Sequence, residues 1–386
     1  MLIQRDIVKK VEEYANQYPV ITIVGPRQSG KTTLCKMLFQ HKPYVSLENP
    51  DERAFAAEDP RGFLHRFPNG AVLDEIQRSP ALVSYIQSIV DKNNKTGMYI
   101  LTGSQQFELM ENISQSLAGR TAIVRLLPFS VNEIYSGNPS RDLFSLLYTG
   151  FYPRIFDKGL NPTEAMGFYV NTYVERDLRT LLNVKDLSSF EVFFKLCAGR
   201  SGGVLNLTSL ANNCGVSHPT IKHWISILET SYLIKLVRPY HKNFNKRLVK
   251  SPKLYFIDTG LLCYLLGITN PLQIETHPLR GEIFETFVYS ELLKTRLNRG
   301  AQDDIYFFRD NTGHEIDFIF DRGQEIDAIE VKSGKTIASD FFKNLDFLEK
   351  ISTINIDKYL IFNGETEHVQ KATQILNWKS IGRVFS

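Results

Sequence analysis

The chain has 386 residues, 43% of them hydrophobic, and sets 45 Lys and Arg against 42 Asp and Glu for a net charge of +3. That length and apolar content predict a globular protein of two or three domains, and a charge so near balance establishes no nucleic-acid partner by itself while permitting a basic face on one domain. Residues 1–20 carry Arg5, Asp6, Lys9, Lys10, Glu12 and Glu13 rather than an apolar leader, and no stretch reaches the roughly eighteen apolar residues of a membrane span, so a cytoplasmic chain without a membrane partner is expected.

The first predicted strand is the apolar run Pro19-Val20-Ile21-Thr22-Ile23-Val24, which passes into Gly25-Pro26-Arg27-Gln28-Ser29-Gly30-Lys31-Thr32 and then into a helical stretch beginning at Thr33. Strand, glycine-bounded loop and helix in that order form a phosphate-binding loop. Glycines at both ends let successive N–H groups turn inward toward phosphate oxygens, where the helix N-terminus adds favourable potential. Lys31 would supply a point charge and Thr32 a hydroxyl for Mg2+, with Thr33 next along the helix; a nucleoside triphosphate, read as ATP, is the expected ligand. Arg27 lies inside the loop, with its side chain expected to point outward. The four cysteines, Cys35, Cys197, Cys214 and Cys263, show no Cys-x-x-Cys spacing and are expected to be reduced, buried thiols.

A second strand, Ala71-Val72-Leu73, ends in Asp74-Glu75, placing Asp74 to hold Mg2+ through water and Glu75 to polarise the water that attacks the γ-phosphate. A third, Gly97 to Leu101, ends in Thr102-Gly103-Ser104-Gln105, which puts Ser104 where a γ-phosphate sensor belongs. Arg120 precedes the strand that begins at Ala122. Its guanidinium could stabilise transferring phosphate on its own nucleotide or on that of a neighbouring copy in a homo-oligomer; the competing reading pairs it with a surface carboxylate. Alternating strands and helices to about residue 135 predict a parallel sheet sandwiched by helices.

From about 137 the pattern turns helical, with a predicted lid or connector helix over 164–178. Residues 205–237 then read helix, turn, helix. Thr208 is expected to cap the first helix, Gly215 to make the turn and Ser217 to cap the second, whose Thr220, Lys222 and His223 would face duplex DNA. A basic segment with Lys242, Lys246, Arg247 and Lys253 follows as a wing suited to phosphate contact; such modules also dock proteins, so a protein partner stays open. In the last third, Glu285 on a helix, Asp317 on a strand and Glu330-Val331-Lys332 on the next suggest a second site, because period-two geometry points Glu330 and Lys332 to one strand face. Asp317 and Glu330 would share Mg2+ while Lys332 orients water and Glu285 tunes the metal; the plain alternative is an acidic surface hairpin.

Taken together, Gly25 to Thr33, Leu73-Asp74-Glu75, Leu101 to Ser104, Ala118-Gly119-Arg120, Tyr173 to Leu178, Tyr255 to Leu261, and Glu285 with Asp317 and Glu330-Val331-Lys332 resemble the bacterial and archaeal AAA+ ATPases close to the STAND branch that carry an uncharacterised C-terminal domain. The resemblance implies an α/β chain: an AAA+ P-loop core over 1–136, a helical lid over 137–200, a winged helix-turn-helix over 201–270 and an α/β domain similar to the PD-(D/E)XK nucleases over 271–386. An ATP-driven switch that engages DNA is the expected function, with a metal-dependent nuclease gated by ATP or a protein-docking scaffold as alternatives.

Overall fold

A computed structural model describes residues 3–93, 95–104, 116–135, 142–173, 187–241 and 249–385. The chain separates into two compact units. The first comprises Met1–Phe129 with the short pieces Thr230–Tyr232 and Arg296–Ala301, and the second holds the remainder.

In the first unit a five-stranded parallel sheet runs in the order β2 (Tyr44–Ser46), β3 (Val72–Asp74), β4 (Tyr99–Gly103), β1 (Val20–Val24), β5 (Thr121–Arg125). Every residue of β1 is buried, as a central strand covered on both faces requires. Helix α1 (Val8–Gln17) and helix α2 (Lys31–Leu38) contribute Val11, Leu34 and Cys35 to a core shared with Ile21, Ile23, Val72, Ile100 and Val124. Because all five strands point the same way, their C-terminal ends share one edge, and the loop after β1, the carboxylates after β3 and the polar end of β4 meet there. Strand β4 starts and ends two residues later than the sequence suggested, which carries Thr102 inside the sheet.

The second unit is built on an eight-stranded mixed sheet in the order β12 (His368–Gln370), β13 (Thr373–Asn377), β11 (Asn355–Phe362), β10 (Glu325–Lys332), β9 (Glu315–Asp321), β8 (Ile305–Arg309), β6 (Ile234–Pro239), β7 (Lys253–Phe256). Directly ahead of β6 come the helices Leu187–Ala198, Leu207–Cys214 and His218–Thr230. The second is capped by Asn206, whose side chain accepts from Ser209 N at 2.9 Å, rather than by Thr208. Gly215 takes the left-handed conformation that ends this helix, and the Ser217 hydroxyl accepts from Thr220 N at 3.3 Å at the start of the next, both as expected. The helix predicted over 164–178 is described as Pro162–Tyr169, with 174–186 outside the described residues.

Strand β6 pairs antiparallel with β7 on one side and, through Arg238↔Tyr306 and Pro239↔Phe307, parallel with β8 on the other. That second pairing joins the hairpin after the helix-turn-helix to the C-terminal sheet, and apart from Thr230–Tyr232 and Arg296–Ala301 the segments 137–200, 201–270 and 271–386 fall in one compact unit. All four cysteines are buried free thiols.

Candidate functional site

The phosphate loop is shaped by two glycines. Gly25 has φ 155° and lies so close to the end of β5 that a Cβ there would stand 2.1 Å from the Leu126 carbonyl oxygen; Gly30 has φ 95° and opens α2. Arg5, buried and not anticipated from sequence, braces the loop from behind. Its guanidinium donates to the carbonyls of Ser29 at 2.9 Å and Leu127 at 2.7 Å and stacks over the Phe129 ring at 4.9 Å. Inside the loop, Lys31 Nζ donates to the carbonyls of Gly25 at 3.0 Å and Pro26 at 2.9 Å. Burial pushes its pKa from 10.5 down to about 8, against the pull of Glu75 and Asp74. The Ser29 hydroxyl is fully buried with no hydrogen bond. A buried ammonium held only by carbonyls and an idle hydroxyl are the features of a cradle built for an anion.

Thr32 Oγ1 donates to Asp74 Oδ2 at 2.9 Å, and Tyr44 and Thr102 donate their hydroxyl protons to the same carboxylate. Tyr44 comes from β2, too short a strand to stand out in sequence. A hydroxyl and a carboxylate converging beside a phosphate cradle are hard oxygen donors, a set that fits Mg2+. One residue on, Glu75 sits in the left-handed region at φ 57° and ψ 48°, a conformation that costs a non-glycine residue about 1 kcal/mol or more. It is held there by Thr102 Oγ1, which accepts from Glu75 N at 3.2 Å, and by Ser104, whose hydroxyl donates to Glu75 Oε2 at 3.1 Å; Gln77 donates to the same oxygen. Ser104 thus stands against Glu75 at the end of β4. The structure therefore brings together Lys31, Thr32, Asp74, Glu75 and Ser104.

Arg120 does not join them. It precedes β5, whose first residue pairs with the first residue of β1, so it lies at the opposite end of the parallel sheet from the loop. There it makes a partly exposed pair with Asp91, with Nε 2.5 Å from Oδ1 and Nη2 2.9 Å from Oδ2. Action on the chain's own nucleotide is ruled out by a full strand length.

In the helix-turn-helix, Lys222 and His223 are exposed and Thr220 partly so, while Ile221, Trp224, Ile225 and Leu228 are buried on the other face of their helix. Lys242, Lys246 and Arg247 lie outside the described residues.

The second predicted cluster is also assembled. Asp317 on β9 stands across from Glu330 on β10, one step beyond the Ile329↔Phe318 pair, and Asp317 Oδ2 accepts from Val331 N at 2.7 Å. Lys332 Nζ lies 2.5 Å from Glu330 Oε1. Burial, then Glu285 and Glu330, push the Asp317 carboxyl well above the usual carboxylate range. Lys253, expected in the basic wing, is corrected by the structure: it is buried on β7 and places Nζ 2.9 Å from Glu285 Oε1 and in contact with Glu315 Oε1; the Tyr255 hydroxyl donates to Glu285 as well. The sequence suggested a shared Mg2+ here, and the cation that the structure places among these carboxylates is an ammonium group, Lys253 Nζ between Glu285 and Glu315. Among the described residues no group of three His, Cys, Asp or Glu side chains is placed to hold a metal ion.

Residues 17–135 match the AAA domain family, residues 140–272 a domain of unknown function (DUF8612) and residues 280–381 a second domain of unknown function (DUF4143). An uncharacterized protein of Mycobacterium tuberculosis is 29% identical over 341 residues, 87% of this chain and 75% of that protein. One of Haemophilus influenzae is 21% identical over 366 residues, 86% of each. Among solved structures, the Walker-type ATPase of Pyrococcus abyssi aligns with a TM-score of 0.47 at 14% identity, over 68% of this chain and 96% of that one. AMPPCP-bound DnaA from Aquifex aeolicus aligns with a TM-score of 0.30 at 16% identity, over 58% and 86%. The match of residues 17–135 to the AAA domain family, with the parallel sheet and the phosphate loop, gives the first unit an AAA-type, P-loop ATPase-like fold. No helix among the described residues is long and apolar enough to cross a membrane.

Proposed function

We propose that this chain binds ATP with Mg2+, hydrolyses it, and uses the cycle as a switch whose output is engagement of double-stranded DNA by the second unit. The observation that carries the proposal is the meeting of Lys31, Thr32, Asp74, Glu75 and Ser104 at one edge of the sheet. Lys31 would leave the carbonyls of Gly25 and Pro26 to neutralise phosphate oxygens, and the loop N–H groups would hold the rest of the anion. Thr32 and Asp74 would hold Mg2+, which supplies charge neutralisation between the phosphates when bound. Glu75, fixed by Ser104 and Gln77, would orient the attacking water. Hydrolysis changes what Ser104 and Glu75 face, which is the kind of local event that a two-state element converts into a larger rearrangement. Arg120 makes the surface-carboxylate pair that was its competing reading, with Asp91, and the one catalytic role left to it is action on the nucleotide of a neighbouring copy.

DNA is favoured as the output by the helix-turn-helix with Lys222 and His223 turned outward and by the hairpin that follows it, the element order of a winged helix. The test pairs phosphate release by the wild-type chain and Lys31→Ala with duplex binding across a salt series. Turnover abolished by Lys31→Ala, and DNA binding that weakens steeply with salt and is lost in Lys222→Glu, are the expected results. Turnover with no DNA binding at any salt would move the output to a protein partner.

A further inference from the structure

The acidic cluster of the second unit already contains a cation. Lys253 reaches it from β7, Glu285 from the helix Arg280–Asn298, Glu315 and Asp317 from β9 and Glu330 from β10. The Lys253 ammonium is 2% exposed, contacts one oxygen each of Glu285 and Glu315, and lies beneath the rings of Tyr255 and Phe307 at 5.9 and 5.6 Å. The carboxylates are further engaged by neighbours of this chain: Glu315 Oε2 meets Arg309 at 3.1 Å, Asp317 Oδ2 takes the Val331 N–H, and Glu330 Oε1 takes Lys332. A buried ammonium so placed is stable only while its carboxylates stay where they are, and the same holds for the carboxylates, since removing either partner strands the other in a poorly solvating interior.

We infer that Lys253 is the resident cation of this centre, so that with Glu285 and Glu315 held by its ammonium group, Asp317 by the Val331 N–H and Glu330 by Lys332, the four carboxylates take no divalent metal ion. The centre is then an ionic lock that fastens the β6–β7 hairpin to the C-terminal sheet and its helix, and metal-dependent strand cleavage is not its work. This stands independently of the ATPase reading, whose residues lie in the other unit.

The test uses Mn2+ on the full nucleotide-free chain in a Lys31→Ala, Asp74→Asn background, which removes the nucleotide-site ligand. Calorimetry and Mn2+ resonance spectra are expected to be the same with and without Asp317→Asn. Adding Lys253→Met removes the ammonium and exposes the oxygens of Glu285 and Glu315, beside Glu330 Oε2, which is buried without a hydrogen bond. That variant is expected to melt several degrees lower, to gain a Mn2+ site, and to recover its melting temperature in Mn2+ unless Glu285→Gln is also present. Mn2+ binding, or Mn2+-dependent DNA cleavage, that is present with Lys253 in place and lost in Asp317→Asn overturns the inference. A folded Lys253→Met chain that gains no Mn2+ site overturns it as well. Should Lys253→Met fail to fold, the comparison with and without Asp317→Asn decides alone.

Discussion

Lys31→Ala is expected to weaken ATP binding about a hundredfold and to remove a pH dependence that the wild-type chain should show. In the loop the Lys31 ammonium is hydrogen-bonded only to the carbonyl oxygens of Gly25 and Pro26, and burial lowers its pKa from 10.5 to about 8. At about 1.36 kcal/mol for each tenfold change in proton affinity, holding that charge in the loop costs on the order of 3 kcal/mol. A triphosphate beside Nζ relieves the cost, and that relief becomes binding energy worth about two decades of affinity. The sign follows from the direction of the shift. Below pH 8 the ammonium is present in both the folded and the unfolded chain; between pH 8 and 10.5 the unfolded chain holds the proton more tightly, so this group's penalty on the nucleotide-free fold fades as pH rises. Binding ATP demands the charged form, so affinity should be flat below pH 8 and fall up to tenfold per pH unit above it, with proton uptake on binding. Titration of a fluorescent ATP analogue with Mg2+ from pH 7 to 9.5, with calorimetry in two buffers of different ionisation enthalpy, reads both effects. An affinity that is level throughout in the wild-type chain, or a Lys31→Ala chain that keeps the wild-type slope, refutes the reasoning.

Glu75→Gln should retain ATP with near wild-type affinity while turnover falls between about a hundred- and ten-thousandfold, measured by phosphate release against nucleotide binding, because only the group that polarises water has changed. Gly25→Ala should abolish nucleotide binding and lower the melting temperature, since its Cβ would collide with the Leu126 carbonyl; wild-type binding in this variant would mean that the loop yields where the sheet appears closed. Arg120→Ala should leave ATP affinity unchanged and barely move the denaturant unfolding midpoint, since an exposed ion pair screened by solvent contributes little. Its effect on turnover should appear only at protein concentrations where copies associate.

The nucleotide site was legible because its chemistry is local: loop, lysine and threonine are consecutive, and the Asp74–Glu75 pair ends an apolar strand. What could not be read were the supports that arrive from elsewhere in the chain. Arg5 reaches the loop from 24 positions earlier in the chain, and Tyr44 reaches Asp74 from a three-residue strand with too few positions to show alternation. Arg120 looked catalytic because sequence places it beside a strand without saying which end of the sheet that strand begins at. Lys253 reads in sequence as part of an exposed basic wing, because nothing local shows that the strand Lys253-Leu254-Tyr255-Phe256 is buried until its carboxylate partners, which follow in sequence by tens of residues, are folded against it. The parallel contact of β6 with β8 was hidden for the same reason, as pairing between distant segments leaves no local periodicity.

That contact constrains how the molecule can be dissected. Cutting near residue 270 would strip β6 from its neighbour and leave Ile305–Arg309 as a raw margin of unsatisfied amides, on a strand whose buried residues are apolar. A fragment begun there should self-associate, whereas one begun ahead of the helix-turn-helix keeps the margin covered and should remain monodisperse.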